Sequence, residues 1–526
     1  MSLSDRVIKN VFFSWAYYLI SLLCGIFLMP FMVHRLGDTV YGIWILILSL
    51  AGYMGLFDLG IRSSIVKYVA ELHANNKQNK LNELINTSLF TYGFIGFLIL
   101  GITIIVSIYF SRFFQINASF INESRLVLLL VGLNVAISLP LAVFGSIIWG
   151  LQRHDIFSAI EILVLIIRTV LIIIFILLGF KLVALAIITL VTNIFGNCLR
   201  IYYAFRINPG LRINHKLFNR ITLKLIFNYA FFVFLIGIST RIISYTDSIV
   251  IGIFMSVAMI TYYSIALKLI DYSRDIISVM TSVLVPTTSE LDAKKEFAKV
   301  QRLLILGTKY SFMLTLPIAF SFILLGKPLI GLWMGQKYAS SATILMILVI
   351  PQLLSISQYM SSVILQGIGK LKTFTTFILL EALANLILSL ILIKHYGLIG
   401  VALGTAIPFI INKAIILPVY ICKVVGQNLI EYIKKTTILP LIASIPYVIL
   451  ILLFKKTFYP KSILILIAEI SICFLIYCAI SINLCLEKLE RQALWQSVKK
   501  LFPRSITIEQ NQDFNKTISS YEDRKE

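Results

Sequence analysis

Apolar runs, each long enough to cross a bilayer, follow one another along nearly the whole chain, with short polar or Gly/Pro-containing breaks between them. A transmembrane helix needs about 20 predominantly apolar residues. The pattern therefore predicts an all-α polytopic membrane protein with about 14 transmembrane helices. The predicted spans cover residues 11–33, 41–66, 86–110, 125–149, 157–179, 182–205, 225–250, 258–288, 303–326, 341–365, 373–394, 397–420, 436–454 and 462–482.

Composition agrees with this class and excludes a soluble domain. Of the 526 residues, 59% are hydrophobic and 13% are charged, and the mean hydropathy is +0.94. The six cysteines lie in or beside apolar runs without a CxxC pair, so we expect neither a disulfide framework nor a metal site. No cofactor is expected either.

The external loops are all predicted to be short, which leaves no room for a catalytic site outside the bilayer. The chain has five His, and it lacks P-loop, HExxH and GxSxG motifs. We therefore expect a protein that is not an enzyme. A membrane glycosyltransferase or polymerase is the less favoured alternative.

The net charge of +22 would suggest nucleic acid in a soluble protein. Here the Lys and Arg residues concentrate in loops on one side of the predicted spans, as the positive-inside rule describes. This bias predicts cytoplasmic N- and C-termini and contact with anionic membrane lipid, without a nucleic-acid partner. The basic loop between the sixth and seventh spans carries Arg206, Arg212, Lys216, Arg220 and Lys224.

An internal repeat relates the two halves of the chain. The turn Gly150–Arg153 has a counterpart in Gly367–Lys370, and Val183–Leu185 matches Val401–Leu403 further along. The repeat unit contains six predicted helices, so both copies have the same orientation, as in parallel-repeat transporters. The predicted domains are an N-terminal lobe (1–210), a C-terminal lobe (211–422), an extra helix pair (423–482) and a cytoplasmic amphipathic helix with a disordered tail (483–526).

Short motifs in both halves of the chain are similar to those of one family, and the resemblance runs from about residue 5 to 482. Together they resemble the polysaccharide-biosynthesis flippases of the multidrug/oligosaccharidyl-lipid/polysaccharide (MOP) exporter superfamily. The motifs are Leu36–Trp44, Phe57–Arg62, Lys67–Ala70, Asp247–Gly252, Tyr262–Ala266, Gly335–Ala339 and Gly397–Ala402.

The resemblance implies a MATE-like fold, in which two six-helix lobes enclose a central cavity. It implies a flippase that moves an undecaprenyl-diphosphate-linked oligosaccharide to the outer leaflet by alternating access, for O-antigen, capsule or related polysaccharide assembly. The bacterial plasma membrane, a coupling proton or sodium ion, and polysaccharide polymerases or glycosyltransferases as partners belong to the same expectation. The alternative is an ion-coupled small-molecule or drug exporter of the same superfamily, against which the extra helix pair counts.

Cations inside the spans are the candidate cargo contacts. A charge at membrane depth is costly and generally faces the bundle interior, and a diphosphate needs cationic donors there. Arg241, Lys309 and Lys413 lack a carboxylate one helical turn away. The six candidates are Arg62, Arg241, Lys268, Arg274, Lys309 and Lys413.

Carboxylates inside the spans are the candidate ion-coupling groups. Asp58 and Arg62 have the spacing of a structural i,i+4 pair, which is an alternative to cargo binding. The charges around Asp271 could alternatively form a neutral network between helices. For Glu381, the favoured interpretation is hydrogen bonding between helices. The four candidates are Asp58, Asp247, Asp271 and Glu381.

A further set of in-span charges is expected to be structural. Glu161 and Arg168 lie two turns apart on one helix face and are predicted to pair. Arg200, near the end of the sixth span, is interpreted as an interfacial anchor.

Overall fold

The computed structural model describes residues 3–282, 288, 291, 294–457, 460–488 and 490–492. The predicted amphipathic helix and tail lie largely outside these residues, from 493 to 526. The described chain is helical almost throughout. Its α-helices are α1 Leu3–Leu36, α2 Asp38–Met54, α3 Ile61–Ala74, α4 Gln78–Phe113, α5 Ala118–Gly150, α6 His154–Leu177, α7 Leu182–Ile207, α8 Arg220–Phe254, α9 Val257–Ser282, α10 Phe297–Trp333, α11 Ser341–Ser357, α12 Tyr359–Gly367, α13 Leu371–Ile410, α14 Leu417–Val425, α15 Leu429–Ile433, α16 Leu439–Thr457 and α17 Ile463–Cys485.

Within the described residues, 12 helical stretches are long and apolar enough to cross a membrane. The prediction of an all-helical multi-pass membrane protein is therefore confirmed. One stretch, Lys372–Val425, contains two predicted spans whose boundary falls at Gly397 (φ 55°, ψ −131°). The predicted number of 14 helices stays a prediction.

The second predicted span, 41–66, is not one continuous helix. The chain leaves α2 at Met54, forms a 3₁₀ turn over Gly55–Asp58 and enters α3 at Ile61. Leu59 (φ 50°) and Gly60 (φ 74°) both adopt the left-handed conformation, which ends a right-handed helix. The expectation of an uninterrupted helix is wrong here because two consecutive left-handed residues separate α2 from α3.

Helix contacts divide the described chain into two bundles. Helices α1 and α3 to α7 pack mainly on one another and form the N-terminal bundle, and α8 to α14 form the C-terminal bundle, whereas α2 contacts both and packs mainly on α8 and α9. The pair α16–α17 packs on α10 through a small core that includes Leu325, Tyr447 and Tyr477. The predicted domain boundaries and the parallel repeat stay predictions.

The two bundles meet at several points, and α2 packs against both α8 and α9. A polar contact around Asp38 joins them where α1 turns into α2. The Asp38 carboxylate pairs with Lys337 Nζ at 2.5 Å and accepts a hydrogen bond from Tyr338, and its backbone carbonyl accepts one from Thr261 at 2.7 Å. We call Asp38, Thr261, Lys337 and Tyr338 the Asp38 seam. The hydrogen bond to Asp38 raises the pKa of Lys337.

Candidate functional site

A cavity of about 550 Å³ lies inside the C-terminal bundle, between α8, α9, α11 and α13. Its walls combine apolar side chains with charged ones, although charges at membrane depth are rare. The structure thus brings together half of the ten predicted site residues. The five that line this cavity are Asp247, Asp271, Arg274, Glu381 and Lys413.

Two ion pairs lie in this cavity. Arg274 Nη2 lies 2.8 Å from Asp271 Oδ1, and Lys413 Nζ lies 3.3 Å from Glu381 Oε2, with both side chains of the second pair buried. Asn412 also donates to Glu381. The sequence places no carboxylate near Lys413 in its own segment, but the fold supplies Glu381 from the preceding helix. Both cations are therefore already neutralised.

Asp247 is buried in a different environment, without a cationic partner among the described residues. Its Oδ2 accepts hydrogen bonds from the Tyr263 hydroxyl at 2.6 Å and from Thr405 Oγ1 at 2.9 Å. Asn385 Nδ2 donates to Thr405 Oγ1 at 2.8 Å, which makes the network continuous across three helices.

Three oxygens of this region have no hydrogen-bond partner among the described residues. They are Asp247 Oδ1, Asn385 Oδ1 and Ser389 Oγ, and all three are buried. Ser389 lies one helical turn from Asn385 and against Gly404, the neighbour of Thr405. Buried oxygens without partners are costly, and this set could be satisfied by a proton or a small cation. In the described part of the chain, no group of three or more His, Cys, Asp or Glu side chains could hold a metal ion.

A second cavity, of about 710 Å³, lies inside the N-terminal bundle. Arg62 at the start of α3 is the one predicted site residue in its lining. Trp149, which is 44% exposed, contributes a large aromatic surface. The cavity is also lined by residues that sequence reasoning did not place in a site: Ser138, Glu161, Asn193, Asn197 and Arg200.

The ion pair in this second cavity differs from the predicted one. Arg200 pairs with Glu161 and donates to Asn197 Oδ1 at 2.7 Å, whereas Arg168 hydrogen-bonds Thr192 at 3.1 Å and Asn193 at 2.5 Å. The expected pairing of Glu161 with Arg168 is wrong, and the anchor role of Arg200 stays a prediction. Charges within a span generally face the bundle interior. Applying this rule to both Glu161 and Arg200 would have predicted that the two lie in one cavity.

Asp58 and Arg62 do not form the expected side-chain pair on one helix face, because the break between α2 and α3 separates them. Asp58 instead accepts hydrogen bonds from the Tyr92 hydroxyl and, at 3.4 Å, from the backbone N–H of Arg62. The carboxylate thus stabilises the first turn of α3, where acidic groups are favoured. The Arg62 guanidinium is exposed to the cavity and forms no ion pair among the described residues.

Arg241 lies outside the linings of both cavities. Its Nη1 donates to the backbone oxygen of Gly52 at 2.6 Å, across the contact between α8 and α2. Gly52 lies in the last turn of α2, where cations are favoured, and its carbonyl also accepts the backbone N–H of Gly55. A helix end thus stands where an anionic partner was expected for Arg241, and its cargo contact stays a prediction.

Lys309 and Lys268 also lie outside both linings. Lys309 Nζ donates to Glu490 Oε2 at 2.8 Å and to the backbone oxygen of Cys485 at 3.1 Å, and both members of the ion pair are buried. The expectation that Lys309 lacks a carboxylate partner holds for its own helix but not for the folded chain. Lys268 is exposed and lies over the ring of Tyr272, 5.2 Å from its centroid.

This arrangement of helices is the fold of the MOP superfamily transporters. A solved structure titled lipid II flippase MurJ, in an inward closed conformation, matches with a TM-score of 0.69 and 18% sequence identity, covering 90% of this chain and 98% of that one. An inward-facing multidrug resistance MATE family transporter matches with a TM-score of 0.62 and 19% identity, covering 78% of this chain and 98% of that one.

The sequence profile of the family described as "Polysaccharide biosynthesis protein" matches residues 39–343, and the chain belongs to this family. A putative O-antigen transporter of Shigella flexneri is 22% identical over 78% of this chain and 96% of its own length. A probable low-salt glycan biosynthesis flippase of Haloferax volcanii is 23% identical over 36% of this chain and 40% of its own length. The predicted family is confirmed. The prediction that the chain is not an enzyme agrees with these names, which are those of transporters and flippases.

Proposed function

We propose that this protein flips an undecaprenyl-diphosphate-linked oligosaccharide from the cytoplasmic to the outer leaflet by alternating access. The observation that carries the proposal is the N-terminal cavity, in which Arg62 presents an exposed guanidinium beside amide and hydroxyl side chains. The names of the glycan flippase and O-antigen transporter relatives support the cargo class.

The chemistry of this cavity suits a charged glycan. A guanidinium binds phosphate oxygens through two parallel hydrogen bonds. Asn193 and Asn197 already bond Arg168 and Arg200 through their amide oxygens, and each of these oxygens can accept a further hydrogen bond from a sugar hydroxyl group. Trp149 adds an aromatic surface with an apolar face. A head group with sugars and a diphosphate could therefore exchange its hydration shell for contacts in this cavity.

The C-terminal cavity is the proposed place of ion coupling, with Asp247 as the group that takes up the ion. Asp271 and Glu381 already have cationic partners, and Asp58 stabilises α3. Asp247 has a carboxylate oxygen without a hydrogen-bond partner among the described residues. A proton or a sodium ion at this oxygen would remove the cost of leaving it buried without a partner.

The proposed orientation rests on charge, since basic loops on one side of the spans favour both termini in the cytoplasm. The proposed location, the bacterial plasma membrane, rests on the proposed cargo. Polymerases and glycosyltransferases of the same polysaccharide would then act on the product and supply the cargo.

The test is translocation of a labelled undecaprenyl-diphosphate oligosaccharide in proteoliposomes. We expect flipping by the wild type and a rate roughly tenfold or more lower in Arg62→Gln, because one charged hydrogen-bond donor is worth about 1.5–3 kcal/mol. Arg212→Gln is the matched control, since this exposed arginine lies outside both cavity linings. Absence of flipping by the wild type, together with efflux of small cations, would favour the drug exporter instead.

Coupling is tested in the same vesicles with an imposed sodium or proton gradient. We expect one of the two gradients to accelerate flipping by the wild type. Asp247→Asn should flip without any response to the gradient, because the amide cannot take up the ion. Asp271→Asn is the control and should keep the response; equal responses in Asp247→Asn and wild type would place coupling elsewhere.

A further inference from the structure

A third cavity, of about 690 Å³, lies between α1, α6 and α7 near the turn that joins α5 to α6. It shares no lining residue with the cavity that contains Arg62. Helix α6 separates the two, because Phe157 and Glu161 line one cavity while Ala159 and Leu163 line the other. Leu163 is 44% exposed. The third cavity therefore opens on the outer surface of the bundle, towards lipid.

One end of this cavity carries an excess of positive charge. Asp155 pairs with Lys9 Nζ at 3.2 Å and with Arg153 Nε at 3.0 Å. Arg206, at the end of α7, lines the same cavity and forms no ion pair among the described residues. Three cations thus face one carboxylate, which leaves a local net charge of +2.

Ion pairs and hydrogen bonds hold the cationic end of the cavity in place. The Asp155 side chain is 7% exposed, whereas those of Lys9 and Arg153 are 44% and 35% exposed. Asn10 fixes α1 against this turn, since its Oδ1 accepts from Asp155 N at 2.9 Å and its Nδ2 donates to Gln152 O at 3.0 Å. The buried carboxylate holds two cations in place and leaves their other N–H groups available to a ligand.

The rest of the cavity is apolar. Its walls include Phe13, Ile160, Leu163 and Leu199. A soluble anion gains nothing from such walls, whereas a lipid places its head group at the polar end and its acyl chains along the apolar side chains. Basic pockets between helices at the membrane boundary are suited to anionic head groups.

We propose that this cavity binds an anionic phospholipid, with the phosphate between Lys9, Arg153 and Arg206 and an acyl chain along Leu163 and Leu199. The bound lipid would join α1 to α6 and α7. This site shares no side chain with the cavities that we assign to cargo and coupling, so its occupancy can be measured separately from flipping.

The experiment measures thermal unfolding of the full-length protein in detergent with added phosphatidylglycerol, phosphatidylcholine or inorganic phosphate. We expect phosphatidylglycerol alone to raise the Tm of the wild type. The double variant Lys9→Gln, Arg206→Gln should lose at least half of this rise. Lys216→Gln, an exposed cation on the loop that follows α7, should keep it.

An equal rise in the double variant and the wild type would overturn the proposal, since the lipid would then act elsewhere. An equal rise with inorganic phosphate, lost in the double variant, would also overturn it and indicate a site for free anions. If the double variant unfolds at a lower Tm without lipid, the size of the lipid-induced rise remains the readout.

Discussion

At the scale of single residues, the in-span cations differ in whether the fold supplies a partner for their side chain. Arg241 has one, since it donates to a carbonyl in the last turn of α2. Arg62 faces the N-terminal cavity without an ion pair among the described residues, because α3 begins just before it. Sequence could identify both as costly charges, but it could not identify their partners. The break at Gly55–Gly60 places Arg62 at the start of a new helix, and the apolar run that contains it does not predict this break.

Gly55 provides a direct test of the Arg241 contact. A Cβ atom at this position would lie 2.6 Å from Arg241 Nη1, so Gly55→Ala should displace the guanidinium from Gly52 O and destabilise the fold by about 1–3 kcal/mol. Thermal or denaturant unfolding in detergent measures the effect. Gly93→Ala is the control, because a Cβ there meets nothing within 4 Å, and it should be neutral or stabilising.

A double variant separates the Arg241 contact from general crowding. Arg241→Gln should also destabilise the protein, and Gly55→Ala should cost little more in the Arg241→Gln background, because both changes remove one interaction. Fully additive losses would mean that Gly55 and Arg241 act independently and would contradict this interpretation.

At the scale of secondary structure, the hydrophobic pattern predicts most helices because a bilayer imposes both their length and their apolarity. The pattern does not predict which charged side chains pair, because tertiary contacts determine those pairs. Glu490 neutralises Lys309 from a position 181 residues along the chain, and nothing in the local sequence of either residue indicates that contact. The segment after α17 is thereby fixed against α10, and Leu486 is buried beside Ala443 in the same place.

Removing Glu490 should leave a buried cation without a partner. We expect Glu490→Ala to destabilise the protein by about 3–5 kcal/mol, and Lys309→Met combined with Glu490→Leu to recover most of the loss. Glu296→Ala, which breaks an exposed pair with Lys299 on the same helix end, should cost less than about 1 kcal/mol. Equal effects of Glu490→Ala and Glu296→Ala in unfolding experiments would show that burial of the first pair is unimportant.

At the scale of the whole molecule, the proposed tasks of the two bundles are separate, and the bundles contact each other at the Asp38 seam among other places. We propose that cargo binds in the N-terminal cavity and the coupling ion in the C-terminal cavity, from the side chains that line each. Half of the predicted site residues meet in one cavity because charges at membrane depth tend to face the bundle interior. Sequence could not predict which charged side chains share a cavity or which of them are paired, since the pairings arise only in the fold.

Asp38→Asn should shift the resting protein towards an open seam. The Lys337 side chain is 61% exposed, so the pair is worth less than about 1 kcal/mol and the shift in population should be roughly two- to fivefold. Spin labels at Asn117→Cys and Ser340→Cys, one on each bundle, would report the distance distribution. An unchanged distribution would mean that the seam does not control opening.

The seam should not respond to pH in the neutral range. The hydrogen bond between Lys337 and Asp38 raises the pKa of Lys337 above the ordinary value of 10.5. The stabilisation of the seam by this pair is therefore complete below pH 10.5, and it is lost only as the pH rises through the raised pKa. The same spin-label distances should therefore be constant from pH 7 to about pH 9 in the wild type. A distance that changes within this range would require a different titrating group.

The most direct test of the central proposal is translocation with the seam held shut. His34 and Tyr338 lie on opposite sides of the seam, with ring centroids 6.3 Å apart, so His34→Cys and Tyr338→Cys can be joined by a short, membrane-impermeant cross-linker that attaches to both thiols through reducible disulfide bonds. If cargo leaves by separation of the bundles here, cross-linking should stop flipping of the lipid-linked oligosaccharide and reduction should restore it, while the single variants should not respond. Flipping at the same rate with and without the cross-link would contradict alternating access through this seam.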